Sequence, residues 1–185
     1  MDYKANLKTY LDREIEVIKA LDLESINTVM NILEEAKLQH KTTYICGNGG
    51  SAATASHFVC DFNKGLNDEA SQFKFQCLSD NTPIMMAISN DIGYDEVFRY
   101  QIKGRIVEGD ILFGISASGN SINVINAMKH AQSVGAKTIA LVGYDGGEMK
   151  QVADYCIHVN INNMQIAEDV HMIMDHLMMH VLSHE

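Results

Sequence analysis

Leu7, Leu11, Ile15, Ile18 and Leu21 recur at three- and four-residue steps, which predicts an amphipathic helix with one apolar stripe. Ile26, Val29, Met30, Leu33 and Ala36 keep the same rhythm and predict a second helix over about 24–38. Residues 3–40 therefore read as a helical hairpin, able to cover its own domain or to pack against another subunit. Beyond it the pattern changes. Short apolar and β-branched runs at Thr43–Cys46, Phe75–Leu78, Ile111–Ile115, Thr138–Val142 and Cys156–Val159 predict strands. Helical segments fall near 51–63, 83–89, 94–106, 121–134, 146–151 and 164–183. Strands alternating with helices indicate parallel strands joined by crossovers, an α/β domain. The single proline, Pro83, suits the first turn of its helix, where a missing N–H costs nothing. No linker, repeat or low-complexity tract divides residues 1–185, so one domain is expected.

Two of the strand ends share a chemistry. The run Tyr44-Ile45-Cys46 stops at Gly47-Asn48-Gly49-Gly50, and a helix-compatible segment begins at Ser51. Glycines let the backbone turn and approach a bound group closely. A serine at a helix start adds a hydroxyl to N–H groups that already point outward, which makes an anion site. The third strand ends similarly, in Gly114-Ile115-Ser116-Ala117-Ser118-Gly119-Asn120-Ser121. One such loop is ordinary turn chemistry. Two at the carboxyl ends of strands, where open α/β sheets bind ligands, favour a shared phosphate site.

Titratable groups lie close by. His57 and Asp61 are four residues apart and share one helical face. The C-terminal helix carries Glu168, Asp169, His171, Asp175, His176, His180 and His184 among methionines and leucines whose spacing is that of core packing. Imidazoles and carboxylates from this helix can meet His57 and Asp61 in a mixed N/O site. Such a site suits zinc or another transition metal, or serves as an acid–base pair without metal. Periodicity does not choose among His171, His176 and His180. Glu168 and His176 are eight residues apart, a rise of about 12 Å on a straight helix. Both reach one ligand only if they lean together or come from two subunits.

A formal charge of −10 argues against a general nucleic-acid surface, and 46% apolar residues argue against disorder. Cys46, Cys60, Cys77 and Cys156 are scattered without CxxC or zinc-finger spacing, which favours free thiols in a reduced, cytoplasmic setting. The start lacks a signal-peptide core, and no apolar run approaches membrane-spanning length. The expectation is a soluble protein with no membrane or nucleic-acid partner.

Taken together, CGNGGS at 46–51, the His57…Asp61 pair, SND-x-G at 89–93, GISASGNS at 114–121, LVGYDGG at 141–147 and E-D-V-H-x-x-x-x-H at 168–176 resemble the SIS (sugar isomerase) fold. Within it they resemble the phosphoheptose isomerases, nearly end to end. The resemblance implies a doubly wound five-stranded parallel sheet flanked by helices, with the N-terminal hairpin used in packing a homotetramer and active sites at subunit interfaces. It places phosphate-binding serines at Ser51, Ser116, Ser118 and Ser121, with Asn48, Gly49, Gly50 and Ala117 in the same loops. Asn90 and Asp91 match a pair near the sugar. A zinc ion would be held by His57, Asp61, Glu168 and His176, with Asp61 and His176 as the catalytic pair and Glu168 also near substrate.

The activity implied is an aldose–ketose isomerisation of sedoheptulose 7-phosphate to D-glycero-D-manno-heptose 7-phosphate through an enediol. It would supply nucleotide-heptose biosynthesis for lipopolysaccharide, capsule or another heptosylated product. Three positions depart from the family pattern: Asp61 stands for its usual glutamate, Glu168 for its usual glutamine, and Lys64 is the nearest counterpart of an arginine. The alternatives are an isomerase of another phosphosugar and a non-catalytic scaffold of the replication-initiator-binding type. The scaffold needs no complete His57/Asp61/Glu168/His176 set. A sugar-phosphate-sensing module would ordinarily carry a DNA-binding domain, for which the chain has no room.

Overall fold

Five parallel strands form the centre of the molecule in a computed structural model that describes residues 1–66 and 72–183. They are β1 (Thr43–Cys46), β2 (Phe75–Cys77), β3 (Ile111–Ser116), β4 (Lys137–Val142) and β5 (Tyr155–His158), in the spatial order β2-β1-β3-β4-β5. The chain winds outward in both directions from the β1/β3 pair, so the sheet is doubly wound with its switch point there. Register pairs Cys46 with Gly114, which brings the two loops that follow these strands side by side.

Alternation along the strands builds two cores. Ile45, Phe113, Ile115, Ile139 and Leu141 face α2 (Leu23–Leu38), α3 (Gly50–Cys60) and α8 (Met164–Leu182). Tyr44, Cys46, Leu112, Ala140 and Val142 face α4 (Thr82–Asp91), α5 (Arg99–Ile102), α6 (Ile122–Ser133) and α7 (Gly147–Val152). Pro83 sits in the first turn of α4, and the Asn81 side chain caps that helix by accepting from the Ile84 N–H.

The hairpin divides between the two roles open to it. The second helix, α2, buries Ile26, Val29, Ile32, Leu33 and Ala36 against the domain's own sheet. The first, α1 (Lys4–Lys19), buries no residue completely. Its Tyr10, Val17 and Ile18 lean on the core and Tyr10 donates to Asp169, whereas Leu7, Leu11 and Ile15 are 62%, 55% and 48% exposed.

Two stretches differ from the periodic reading. The helix expected over 94–106 is a 3-10 turn at Tyr94–Glu96 and then the four-residue α5. Gly104, in the left-handed region at φ 74°, ends it, and Val97, Phe98, Ile102 and Ile106 are all packed into the core as the segment bends. The helix expected over 51–63 ends as α3 at Cys60 and widens into a π-turn over Asp61–Gly65. Wide turns of this kind gather at functional sites. All four cysteines are free thiols. Among the described residues no helix is long and apolar enough to cross a membrane. His184 lies outside the described residues.

Candidate active site

The paired loops form a hydroxyl-lined cleft of about 170 Å³ at the switch point, bordered by Asn48, Ser51, Ser116, Ala117, Ser118, Ser121 and Glu168. Ser116 is its hub. Its Oγ lies 3.0 Å from Ser121 Oγ and 3.4 Å from Ser118 Oγ, and the Gly119 N–H donates to it at 3.2 Å. Ser51 stands in the first turn of α3, so its hydroxyl joins the free N–H groups of a helix N-terminus. Gly49 holds φ 56°, a conformation that glycine takes without a Cβ penalty. A side chain at Gly50 would collide with the Glu168 carboxylate. Asn48 is fixed by Asn123 and by the Tyr94 hydroxyl, which donates to Asn48 Oδ1 at 2.7 Å.

Asn90 and Asp91 are not in this cleft. They end α4, the Asn90 amide donates to Asp91 Oδ1 at 2.8 Å, and Asn90 lines a separate open groove with Met85, Met86, Ser89 and Tyr94.

The second feature joins α3 to α8. Phe58 and Phe62 are fully buried, which orients α3 and its π-turn so that His57 and Asp61 face α8. His57 Nε2 lies 3.1 Å from His176 Nε2, 3.6 Å from Asp61 Oδ2 and 4.0 Å from Asp175 Oδ2. One donor atom from each of these four residues lies within 4.8 Å of every other. The Asp175 side chain is wholly buried, and among the described residues neither of its oxygens has a hydrogen-bond partner. Burial, with the negative charge of Asp61 adding to it, pushes the Asp175 carboxyl up to about 7.

The expected set of His57, Asp61, Glu168 and His176 thus meets at three positions, and Asp175 stands at the fourth. Helix rise is the reason: Glu168 is two turns from the cluster, beside Gly50 and the serine cleft. His171 is not in the cluster either. It is buried in the core, and desolvation lowers its pKa to about 4. His180 lies in the last turn of α8, also apart from the group. The sequence names Asp175 among the carboxylates of this helix but does not single it out as a ligand, although its position is a signal. It falls among Val170, Met174 and Met178 on the buried face of α8, where a carboxylate needs a partner.

The donor set fits a divalent cation. Zinc–nitrogen bonds of about 2.0–2.1 Å in a tetrahedron put two nitrogens about 3.3–3.4 Å apart. The two imidazoles already stand close to that separation, at 3.1 Å. Two imidazoles with carboxylates are also the ligand types that zinc and its neighbours take.

A doubly wound sheet with a hydroxyl-lined anion cradle at its switch point, and an imidazole–carboxylate cluster about 9 Å further along α3, is the arrangement of a phosphosugar-handling α/β domain. Residues 3–143 match the family model of the SIS domain. The phosphoheptose isomerase of Aliarcobacter butzleri is 35% identical over 98% of this chain and 97% of its own length. That of Helicobacter pylori strain Shi470 is 36% identical over 92% and 87%. The solved phosphoheptose isomerase of Neisseria gonorrhoeae superposes with a TM-score of 0.90 at 29% identity, covering 100% of both chains. That of Francisella tularensis gives 0.88 at 25% identity, again covering 100% of both chains. The chain belongs to the SIS-domain family and, within it, to the phosphoheptose isomerases.

Proposed function

We propose that the chain is a cytoplasmic aldose–ketose isomerase that converts sedoheptulose 7-phosphate to D-glycero-D-manno-heptose 7-phosphate, a precursor for nucleotide-heptose biosynthesis. One observation carries the reading. His57, Asp61 and His176, from helices 119 residues apart at the two imidazoles, converge on one point of α3, and the first turn of that helix is part of the phosphate cradle. An extended seven-carbon sugar phosphate spans from cradle to cluster.

The serines and the α3 N-terminus hold the phosphate, and this remote binding aligns the reacting carbons. Asp61 removes a proton from C1 of the open-chain ketose, and C1 and C2 become an enediol. His176 works as the partner acid–base, protonating O2 as the enediol forms and taking the O1 proton as it collapses; a proton returns to C2, leaving the aldehyde at C1 and a hydroxyl at C2. His57, Asp61 and His176 would hold a zinc ion, whose chemistry there is to polarise the substrate's hydroxyl and carbonyl oxygens.

A cleft of about 170 Å³ is smaller than the roughly 300–1,000 Å³ of typical ligand sites. It accepts the phosphate end, and we assign the remainder of the site to a neighbouring copy in a homotetramer. The bare stripe of α1 supports that assignment. Nothing in the site favours a scaffold, which has no need of converging imidazoles and carboxylates.

The test is incubation of the purified protein with sedoheptulose 7-phosphate, with and without a chelator, followed by NMR. An aldoheptose phosphate is expected, and chelation should slow its formation. Absence of that product at every metal loading would overturn the reading.

A further inference from the structure

We infer that Asp175 is a protein ligand of a divalent cation held by His57, Asp61 and His176. The inference rests on the reading of those three residues as a cation site and adds the residue that closes it.

The first ground is placement. Asp175 Oδ2 lies 4.0 Å from His57 Nε2 and within 4.8 Å of donor atoms of Asp61 and His176. Glu168 precedes Asp175 by seven residues, a rise of about 10 Å on a straight helix. Within the chain its carboxylate packs against Gly50 at the serine cleft, apart from this cluster.

The second ground is polar satisfaction. Asp175 is wholly buried, and among the described residues its two oxygens accept no hydrogen bond. A buried carboxylate is retained only when it is paired, neutralised or bound to a metal. Its neighbours across the helix pair are His57, which is neutral when it offers a lone pair to a metal, and Asp61, which repels it. A dication relieves both problems at once. Two aspartates balance its charge, and Asp175 Oδ2 gains a partner that it lacks.

The third ground is how the group straddles the protein surface. His176 is exposed and its chain neighbour Asp175 is buried, because adjacent helical residues point about 100° apart. His57 sits over the boundary and contacts both. The cluster therefore reaches from the core of the chain to its solvent-facing side.

The test measures binding and not turnover. The full chain is stripped with a chelator and titrated with Zn²⁺ against a chromophoric competitor, and with Co²⁺ while the visible absorption is followed. Wild type is compared with Asp175→Asn and Asp175→Leu. The last variant tolerates burial without a partner, so it supplies folded protein if the amide does not. Loss of an outer hydrogen-bond partner weakens metal sites by 10–100-fold. Loss of a ligand should therefore lower Zn²⁺ affinity by more than about 100-fold in both Asp175 variants and change the Co²⁺ spectrum. Unchanged affinity in the Asp175 variants, or no binding by wild type, would each overturn the inference. The isomerase reading fails separately, only if metal-loaded wild type produces no aldoheptose phosphate.

Discussion

Asn48 and Asn123 exchange two amide hydrogen bonds, each 3.0 Å long, and so tie the loop after β1 to the first turn of α6. Asn123 is almost fully buried, and its Oδ1 also accepts from the Val124 N–H. The pair holds the glycine loop and the serine loop at a fixed separation, and it closes one side of the anion cradle.

Asn123→Ala leaves the half-buried Asn48 amide N–H without its acceptor, while Asn48 Oδ1 keeps the Tyr94 hydroxyl. A buried polar group deprived of its hydrogen bonds costs about 1–3 kcal/mol, and urea unfolding should show a loss of that size. Because the damage falls on the cradle, KM for the phosphosugar should rise while kcat falls less. An unchanged KM would show that the two loops keep their spacing without this pair.

Asp61→Asn and His176→Gln address the chemistry. Each should lower kcat by about 10²–10⁴-fold, the usual contribution of a positioned acid or base. Binding of inorganic phosphate, followed calorimetrically, should be nearly unaffected, since neither side chain lines the serine cleft. If both variants retain more than about a tenth of the wild-type rate, the assigned roles are wrong.

Much of this architecture could be read from one chain, for identifiable reasons. Thr43–Cys46 was visible as a strand because a fully buried parallel strand is a continuous apolar run, and glycines end it abruptly. The pairing of His57 with Asp61 followed from the helical period alone. Asp175 did not, because the period says which face of α8 is buried but not which helix covers it, and its partners are more than 100 residues away. The segment 94–106 failed for a related reason. Its apolar residues have helical spacing, yet they reach the core through a bend that ends at Gly104. The place of Glu168 beside Gly50 is likewise a packing outcome, set by how far along α8 the N-terminus of α3 comes to rest.

The exposed face of α1 bears on assembly. Leu7, Leu11 and Ile15 repeat every four residues and remain largely uncovered within the chain, whereas Tyr10, Val17 and Ile18 on the adjoining strip of the helix lean on the core. Leu11→Glu combined with Ile15→Glu should leave the fold intact, since both positions are exposed, and should prevent self-association. Sedimentation velocity should find an oligomer for wild type and a smaller species for the double variant. Activity should fall with it if a neighbouring copy completes the site. A variant that sediments like wild type would remove α1 from the interface.

Acid lability should depend on His171. Its ring is buried, and desolvation lowers its pKa from 6.5 to about 4, with the Val142 backbone opposing weakly. Between those pH values the unfolded chain holds a proton that the native state lacks, so native stability falls as protons become available. The contribution is complete above about pH 6.5 and is lost progressively toward pH 4, about 3 kcal/mol at roughly 1.4 kcal/mol per pH unit. Asp175 is shifted upward and acts with the opposite sign, but it is common to wild type and to a His171→Leu variant. Urea midpoints measured from pH 7 to pH 4.5 should therefore drop more steeply for wild type than for His171→Leu. Parallel curves would mean that another group governs the acid limb.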